Sequence, residues 1–263
     1  MTSSHLLISD YLSSEIGGGA EANDSVIRYE FGCPAIRSRE FNASFRIYSG
    51  KTFIVSNFWE LSEESKNFLL GQEYYIVEHD YKMFASRVPD SFDKINLEFY
   101  KAARFVIFQS PLQLSIIGDS FVKSINCHVF GANLWLDSEL DFFANFNYTP
   151  LINAAAILHG SGIKDNSSSI KYCTDAGINY SIIPRMSRDC FINELSKYHM
   201  FCNIPKYPET YSRVSAEAKM LGLECILGNN VGISSCESFN LNRLDFIQYQ
   251  RDKKQWLKNL LSQ

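Results

Sequence analysis

The chain has 263 residues, of which 46% are hydrophobic and 21% charged, and its formal net charge at pH 7 is −4. This composition excludes a disordered protein, and the length is sufficient for one large domain or two small ones. The negative charge argues against a protein that relies on attraction to nucleic-acid phosphates, so we expect no nucleic-acid partner.

The cysteines and the N-terminus indicate the compartment. The seven cysteines are widely spread and include no C-x-x-C pair, which is typical of reduced thiols rather than of a disulfide framework or a zinc site. The segment MTSSHLLISDYLSSEIGGG lacks the pattern of a signal peptide, and no apolar run approaches the length of a membrane span. The sequence therefore predicts a cytoplasmic protein.

Short apolar runs rich in β-formers alternate with helical patterns along the chain. The predicted strands are 5–9, 44–49, 52–57, 74–78, 103–109, 126–131, 153–160, 179–184, 199–204 and 223–228. One predicted helix follows the glycines near residue 18. The other predicted helices are 62–70, 90–103, 167–177, 188–198, 213–222 and 241–261. This alternation predicts an α/β architecture with mainly parallel sheets.

The aromatic and acidic segment NLWLDSELDFFANFNYTP, at 133–150, interrupts this rhythm and predicts a connection between two units. We predict an N-terminal domain at 1–145, a C-terminal domain at 146–240 and a terminal helix at 241–263. That helix is amphipathic, and we expect it to lie back across the first half.

A run of three glycines follows the first predicted strand, in SSEIGGGAEANDSV at 13–26. Glycines allow close approach to a ligand, and the start of the helix behind them favours an anion. The pattern is not G-x-G-x-x-G, so a dinucleotide-binding fingerprint is poorly supported. A phosphate-binding loop and a plain turn between strand and helix both stay open.

The predicted strand YYIVE ends in Glu78-His79-Asp80. Parallel α/β sheets bind ligands at the carboxyl ends of their strands, so His79 is placed to donate a hydrogen bond to a sugar hydroxyl or carbonyl. The alternative is a structural histidine at the end of a strand.

The segment HGSGIKDNSSS, at 159–169, has the same position after a predicted strand. Its glycines expose backbone N–H groups, and Lys164 offers a mobile positive charge for phosphate. Many ordinary turns carry glycine and lysine, so this motif is weak by itself.

The segment HMFCNIPKYPETYSRVSAEA combines a strand, a loop that contains Glu209, and a helix that begins near Ser212 or Arg213. Glu217 lies about one turn inside this helix. The first amides of a helix have no partner within it, so the segment offers carboxylates for sugar hydroxyls, and amides with Arg213 for a diphosphate. The alternative is that both acids only balance the helix dipole and face water.

The residues PETYSRVSAEAKMLGL, at 208–223, resemble the signature of retaining glycosyltransferases with the GT-B fold, especially family 4. That signature has two glutamates separated by seven residues, typically E-x-F-G-x-x-x-x-E-A followed by small residues and Gly. The spacing, the aromatic Tyr211, the Glu217-Ala218 pair and Gly222 match it, whereas Ser212 replaces the usual glycine.

The resemblance extends to both halves. GGGAE at 17–21 is similar to the first glycine loop of the family, and EHD at 78–80 is similar to the His-Asp end of a middle strand. SGIK at 161–164 stands where the family has Gly-Arg followed by Lys, with Ser161 in the place of Arg. Another cation is then needed for the diphosphate, and the candidates are Arg185, Arg188, Lys206 and Arg213. The second half lacks a strand–helix unit, which makes the chain a trimmed member.

The resemblance implies two Rossmann-like domains that face each other across a cleft, with the C-terminal helix returning to the N-terminal half. It implies a hexosyltransferase that moves a sugar from a UDP- or GDP-linked donor to a saccharide or lipid-linked acceptor, with retention and without a metal or other cofactor. The implied catalytic residues are His79 and Glu209, which contact the donor sugar. The residues implied at the donor nucleotide and its phosphates are Gly18, Gly19, Lys164, Arg185, Tyr211, Ser212, Arg213 and Glu217.

Two other functions fit the same pattern, a nucleotide-sugar epimerase and a non-catalytic nucleotide-sugar-binding relative. Basic residues at Lys82, Arg87, Lys94 and Lys101 fit an anionic acceptor or lipid headgroups, or simply a solvated face. The terminal RDKKQW fits peripheral contact with a membrane surface on the cytoplasmic side, or an ordinary helix end.

Overall fold

A computed structural model of the protein describes residues 4–12, 18–42, 48, 50–81, 97–160 and 165–262. Over this part of the chain, ten strands alternate with ten α-helices, which confirms the predicted α/β architecture. The chain forms two compact units. The first unit comprises Met1–Leu136 with Asp252–Gln263, and the second comprises Asp137–Arg251. The limits 1–145, 146–240 and 241–263 stay predictions about domains.

The first unit contains six strands and five helices within the described ranges. The strands are β1 His5–Ser9, β2 Ala35–Arg37, β3 Thr52–Val55, β4 Tyr74–Glu78, β5 Val106–Phe108 and β6 Cys127–Val129. The helices are α1 Gly19–Phe31, α2 Glu63–Leu69, α3 Leu97–Ala102, α4 Pro111–Ile117 and α5 Asp119–Val122.

The second unit alternates four strands with helices over the residues that are described. The strands are β7 Ile152–Leu158, β8 Tyr180–Ile183, β9 Tyr198–Asn203 and β10 Glu224–Leu227. The helices are α6 Asp137–Asn145, α7 Ser167–Asp175, α8 Arg188–Leu195 and α9 Arg213–Leu221. The long helix α10, Arg243–Leu261, begins in the second unit and ends in the first.

The strands of the first unit form one parallel sheet in the order β2-β1-β3-β4-β5-β6. Successive residues of a strand face opposite sides of the sheet, and in β1 Leu6, Leu7 and Ile8 are all buried. Both faces are therefore covered, as the near-continuous apolar runs of its strands predict.

The edge of this sheet differs from the prediction. The strand predicted at 44–49 lies almost wholly outside the described residues, and the strand that pairs with β1 on this side is Ala35–Arg37. Three residues give no periodicity to detect. Helix α4 was also missed, although Ser110 accepts a hydrogen bond from Gln113 N and Pro111 occupies the first turn, which is a recognisable helix start.

The second sheet is also parallel, in the order β10-β9-β7-β8. Its four strands lie within a residue or two of the four predicted in the second half. Ala155, Ile157 and Cys202 form its core together with Cys173 of α7. Helix α6 lies inside the segment 133–150, which was predicted to be a connection between the two units.

The end of α10 packs within the first unit, which confirms the predicted return of this helix. Lys254 and Lys258 pair with Glu30 of α1 at 3.2 and 2.9 Å. Leu244 is 58% exposed, and the buried positions of α10 are Phe246, Ile247, Gln250, Lys254, Leu257 and Leu261. No helix in the described ranges is long and apolar enough to cross a membrane.

Candidate functional site

His79 directly follows β4, at the carboxyl end of the first sheet, and it is 8% exposed. Its Nε2 lies 3.4 Å from Oδ1 of Asp24, and its Nδ1 lies 3.5 Å from Nδ2 of Asn23. Both partners belong to α1 and are almost fully buried. Helix α1 therefore presents one carboxylate and one amide to the two ring nitrogens of the predicted catalytic histidine.

The contacts of Asn23 fix which of its atoms faces the histidine. Its Oδ1 accepts a hydrogen bond of 2.9 Å from the backbone N–H of Leu134, and that group can only donate. The Nδ2 group then donates to Oδ1 of Asn133 at 2.9 Å and faces Nδ1 of His79. Nδ1 of His79 thus faces an amide donor, and Nε2 faces the carboxylate of Asp24.

The backbone on both sides of His79 is also held by buried polar groups. Gln113 Nε2 lies 3.3 Å from the carbonyl oxygens of both Glu78 and Asp80. Tyr100 donates from its hydroxyl to Oε2 of Glu78 at 2.6 Å, and burial, with Glu78 nearby, raises the pKa of Tyr100. Buried polar groups are costly unless they are hydrogen-bonded, so a network of this size at a strand end marks a candidate functional position.

The start of α1 already holds a carboxylate. Gly18 is the N-cap of α1 and Gly19 its first residue. A Cβ at Gly18 would collide with Oε2 of Glu21 as that side chain is placed, so the glycine leaves room for this carboxylate. Burial raises the pKa of the Glu21 carboxyl, with Asp24 adding to the effect, while the N–H groups of Glu21 and Gly18 oppose it. The place predicted for a phosphate is therefore occupied by a side chain of the protein.

In the second unit, α9 begins after Ser212, whose φ of 82° and ψ of 87° are in the left-handed region. Ser212 is the one non-glycine residue with positive φ in the described part of the chain. L-residues adopt this conformation at a cost. Glycine adopts this conformation without that cost, and glycine is the residue that the resembling signature has at this position. Its hydroxyl lies 2.8 Å from that of Ser215.

Glu209 lies in the loop before α9, and backbone contacts hold it there. Its N–H donates to Asn230 O at 2.8 Å, and its backbone forms a parallel bridge with Val231. Asn203, at the end of β9, places its Nδ2 3.4 Å from Oε2 of Glu209 and 3.2 Å from Oγ of Ser212. Asn203 therefore links the loop acid to the start of the helix.

Tyr211 is a core residue, only 2% exposed. Its hydroxyl accepts a 3.4 Å hydrogen bond from Gln250, and its carbonyl accepts one of 2.8 Å from Ile233 N–H. Burial raises the pKa of Tyr211. The buried side chain of Tyr211 is therefore part of the core and is not placed to meet a ligand.

Glu217 is held by two arginines. Its Oε1 lies 3.3 Å from Nε of Arg213, four residues earlier on α9, and 3.0 Å from an Nη of Arg188, the first residue of α8. The same nitrogen of Arg188 lies 3.0 Å from Oε1 of Glu139 on α6, which is 3.6 Å from Arg213. We name these four residues the charge quartet.

The charge quartet is graded from buried to exposed. The side chains of Glu217 and Arg213 are 5% and 9% exposed, those of Glu139 and Arg188 27% and 41%. Burial lowers the pKa of the Arg213 guanidinium, and Glu217 opposes that shift. The inner pair thus fixes the first turn of α9, while Arg188 presents a guanidinium to solvent.

The predicted site residues fall into two sets. Gly18, Gly19 and His79 lie in the first unit, and the others lie in the second. Arg185 is exposed in the loop between β8 and α8, and Lys164 lies outside the described residues.

Sequence reasoning missed Asn23, Asp24, Asn203 and Glu139. A polar residue at the end of β9 was a signal for Asn203, whereas nothing in the sequence linked Glu139 to residues 49 or more positions away. In the part of the chain that the structure describes, no group of three or more His, Cys, Asp or Glu side chains is placed to hold a metal ion.

No protein-family model matches the sequence, and no curated protein sequence matches it. Solved structures with a similar fold do exist. An α-glucosyltransferase in complex with UDP and a 13-mer DNA with a central A:G mismatch has a TM-score of 0.53 and 11% identity, covering 98% of this chain and 90% of that one. An α-glucosyltransferase with UDP and a 13-mer DNA that contains a HMU base has a TM-score of 0.55 and 9% identity, covering 100% and 91%.

A sucrose-phosphate synthase from Thermosynechococcus elongatus is also similar, with a TM-score of 0.50 and 10% identity over 90% of this chain and 75% of that one. At these identities the likeness concerns the fold. The chain has the two-sheet α/β fold of these GT-B glycosyltransferases, as the sequence predicted.

Proposed function

We propose that the protein is a glycosyltransferase that moves a sugar from a nucleoside diphosphate donor to an acceptor hydroxyl. The observation that carries this proposal is the start of α9, where a left-handed Ser212, the loop acid Glu209 and the arginine-held Glu217 occur together. The shared fold with glycosyltransferases supports it.

In this proposal the second unit binds the donor. Glu217 receives the ribose hydroxyls, and Glu209 receives hydroxyls of the sugar. Helix geometry leaves the first N–H groups of α9 without partners inside the helix, so the amides around Ser212 meet the diphosphate. Arg185 and Lys164 are further cations that the sequence suggests for it.

The reaction breaks the bond between the anomeric carbon and the phosphate oxygen, and that oxygen gains charge as the sugar becomes oxocarbenium-like. Helix amides and arginine stabilise this charge, which is why we propose a reaction without a metal ion. The acceptor oxygen forms the new bond, and its proton passes to the departing phosphate. Attack from the face that the phosphate leaves gives retention.

In the first unit, His79 is proposed to lie beside the donor sugar, where α1, α3 and α4 hold its ring and its backbone. Preorganised groups stabilise a transition state because they need no rearrangement when charge develops. Gly18 and Gly19 are proposed to approach the phosphates, which requires the carboxyl of Glu21 to move or to become protonated.

The acceptor is proposed to be a saccharide or a lipid-linked glycan. Duplex DNA is a second candidate, because two of the similar structures contain DNA oligomers. The net charge of −4 disfavours DNA. Assays with labelled donor and each acceptor class in turn separate the two.

The test is a thermal-unfolding screen against UDP, GDP and their sugar conjugates, followed by donor turnover. A ligand of the native state raises the unfolding temperature. Glu209→Ala should lower transfer about 100-fold or more while leaving the fold intact. The matched control is Glu224→Ala, at an exposed glutamate of β10.

Other outcomes identify the alternatives. An epimerase changes the sugar without an acceptor and leaves the nucleotide attached, and a binding protein shows ligand stabilisation without turnover. If no nucleotide or nucleotide sugar stabilises the protein or is turned over, the proposed function is wrong.

A further inference from the structure

Two helices of the second unit begin with arginine, which is unfavourable by itself. Arg188 is the first residue of α8 and Arg213 the first of α9. The N-terminus of a helix carries partial positive charge and favours anions, so a cation there costs stability unless it is compensated. Residues that break a local rule in this way concentrate at functional sites.

The two glutamates of the charge quartet supply the compensation, but they are not equivalent. Glu217 is on the same helix as Arg213, one turn away, and is 5% exposed. Glu139 comes from α6, is 27% exposed and reaches Arg213 only at 3.6 Å. If the Glu217 carboxylate left the arginines, its charge would stay buried. The Glu139 carboxylate is more exposed and can turn toward solvent.

The carboxylate of Glu139 also has the chemistry of a stand-in ligand. One of its oxygens lies 3.0 Å from Arg188 and 3.6 Å from Arg213, facing both guanidinium groups. Guanidinium groups bind carboxylate and phosphate oxygens with the same geometry. An anionic group that occupied this place would make the same contacts with more charge.

We propose that Glu139 is a built-in competitor for the anionic part of the donor nucleotide. Its carboxylate holds Arg188 and Arg213 in the free protein, and the diphosphate of the donor takes its place, so that Arg188 exchanges a carboxylate for phosphate. This inference rests on the proposed function, because it concerns the same site, and it assigns Arg188 as the exposed cation that binds the diphosphate.

Competition of this kind lowers the apparent affinity for the nucleotide. The affinity is multiplied by the fraction of protein molecules in which Glu139 is not paired with the two arginines. It also keeps the two arginines paired when no nucleotide is bound. The expected consequence is that removing the Glu139 carboxylate, which pairs with Arg188 and Arg213 in the free protein, strengthens nucleotide binding.

The experiment is calorimetric titration of the full-length protein with UDP and with GDP. Glu139→Gln removes the negative charge and keeps the size of the side chain, and we expect the better-bound of the two nucleotides to bind about 3- to 10-fold more tightly. The control is Asp141→Asn on the same helix, where the carboxylate pairs with Arg251 at 2.7 Å and not with the charge quartet. It removes the same charge and should change the affinity less than twofold.

A second variant tests whether the effect passes through Arg188. Arg188→Gln should weaken nucleotide binding, and Glu139→Gln added to it should then give a smaller gain than in the wild type. Thermal unfolding of each variant shows that it is folded.

Equal or weaker binding by folded Glu139→Gln overturns the inference while the proposed function stands. An equal gain in Asp141→Asn also overturns it, since the effect would then be one of general charge. If neither nucleotide binds the wild type or Glu139→Gln, both the inference and the proposed function fail.

Discussion

In each of the two units a glutamate carboxylate lies where a phosphate was predicted, but the surroundings differ. Glu21 lies at the Gly18 N-cap, is 7% exposed and has Asp24 and His79 as its charged or titratable neighbours. Glu139 is more exposed and faces two guanidinium groups. The first carboxyl can be neutralised by taking up a proton, since burial raises its pKa, whereas the second is neutralised by ion pairing.

This difference extends to the groups around each glutamate. In the first unit, amides and hydroxyls join the buried carboxylates of Asp24 and Glu78 in a hydrogen-bond network around His79. In the second unit, ion pairs between two glutamates and two arginines hold the charge quartet together. A glutamate in such a pair can be replaced by an anionic group of a ligand. We therefore expect the first unit to place its groups rigidly and the second to bind by exchanging charges, and substitutions in each unit distinguish the two.

The largest effect is expected at the inner pair of the charge quartet. Glu217→Ala leaves the Arg213 guanidinium, 9% exposed, without its partner on α9. The free energy of unfolding should fall by about 3 kcal/mol, because removing one partner of a buried ion pair is costly and Glu139 lies farther from Arg213, at 3.6 Å. Urea denaturation measures it, with Glu224→Ala as the control. A loss no larger than that of the control would show that Arg213 does not depend on Glu217.

A somewhat smaller effect is expected in the hydrogen-bond network. Asn23→Ala leaves the N–H of Leu134 and the Oδ1 of Asn133 without their shared partner, which should cost about 2 kcal/mol. The control on the same helix is Tyr29→Ala, where the side chain is 73% exposed. The loss should be the same at low and high salt. A strong salt dependence would mean that charge, and not hydrogen bonding, holds this region.

The backbone of Ser212 provides the next comparison. Ser212→Gly and Ser212→Ala both remove the hydroxyl contacts to Asn203 and Ser215, but only alanine retains a Cβ at a φ of 82°. The glycine variant should be about 1 kcal/mol more stable than the alanine variant, as measured by thermal unfolding. Equal stabilities would indicate that the residue leaves the left-handed region in solution.

The smallest effect concerns α10. Burial acts to raise the pKa of the Glu30 carboxyl, but Lys258 and Lys254 outweigh it and hold that pKa below the usual 4.5. A lowered folded-state pKa gives stability that is present above the unfolded pKa and lost as the pH falls through the folded value. The difference between the wild type and Glu30→Gln should be below about 1 kcal/mol at neutral pH and should vanish in acid. A difference that grows in acid would contradict this.

Periodic elements with several turns or several buried residues could be predicted from the sequence. The four strands of the second sheet and helix α9 were predicted closely, because apolar runs and an amphipathic repeat mark them. Strand β2 was not, because three residues carry no period. Helix α6 was missed because its aromatic residues suggested a connection, although Leu140 and Phe143 are spaced for one buried helix face.

The candidate site was predictable only where it is local in sequence. Glu209 and Glu217 were proposed as site residues from their spacing, and His79 from its position after a strand, and their roles stay predictions. The partners of these residues come from other elements: Asp24 from α1, and Glu139 from α6. A single sequence contains no signal for contacts over such separations.

The start of α9 is proposed to bind the donor nucleotide. Backbone amide NMR of the labelled protein, with UDP or GDP added to saturation, tests it most directly. We expect the largest shifts at residues 209–217 and at Arg188, and we expect Glu217→Ala to remove them. Saturable binding that leaves these amides unchanged would contradict it.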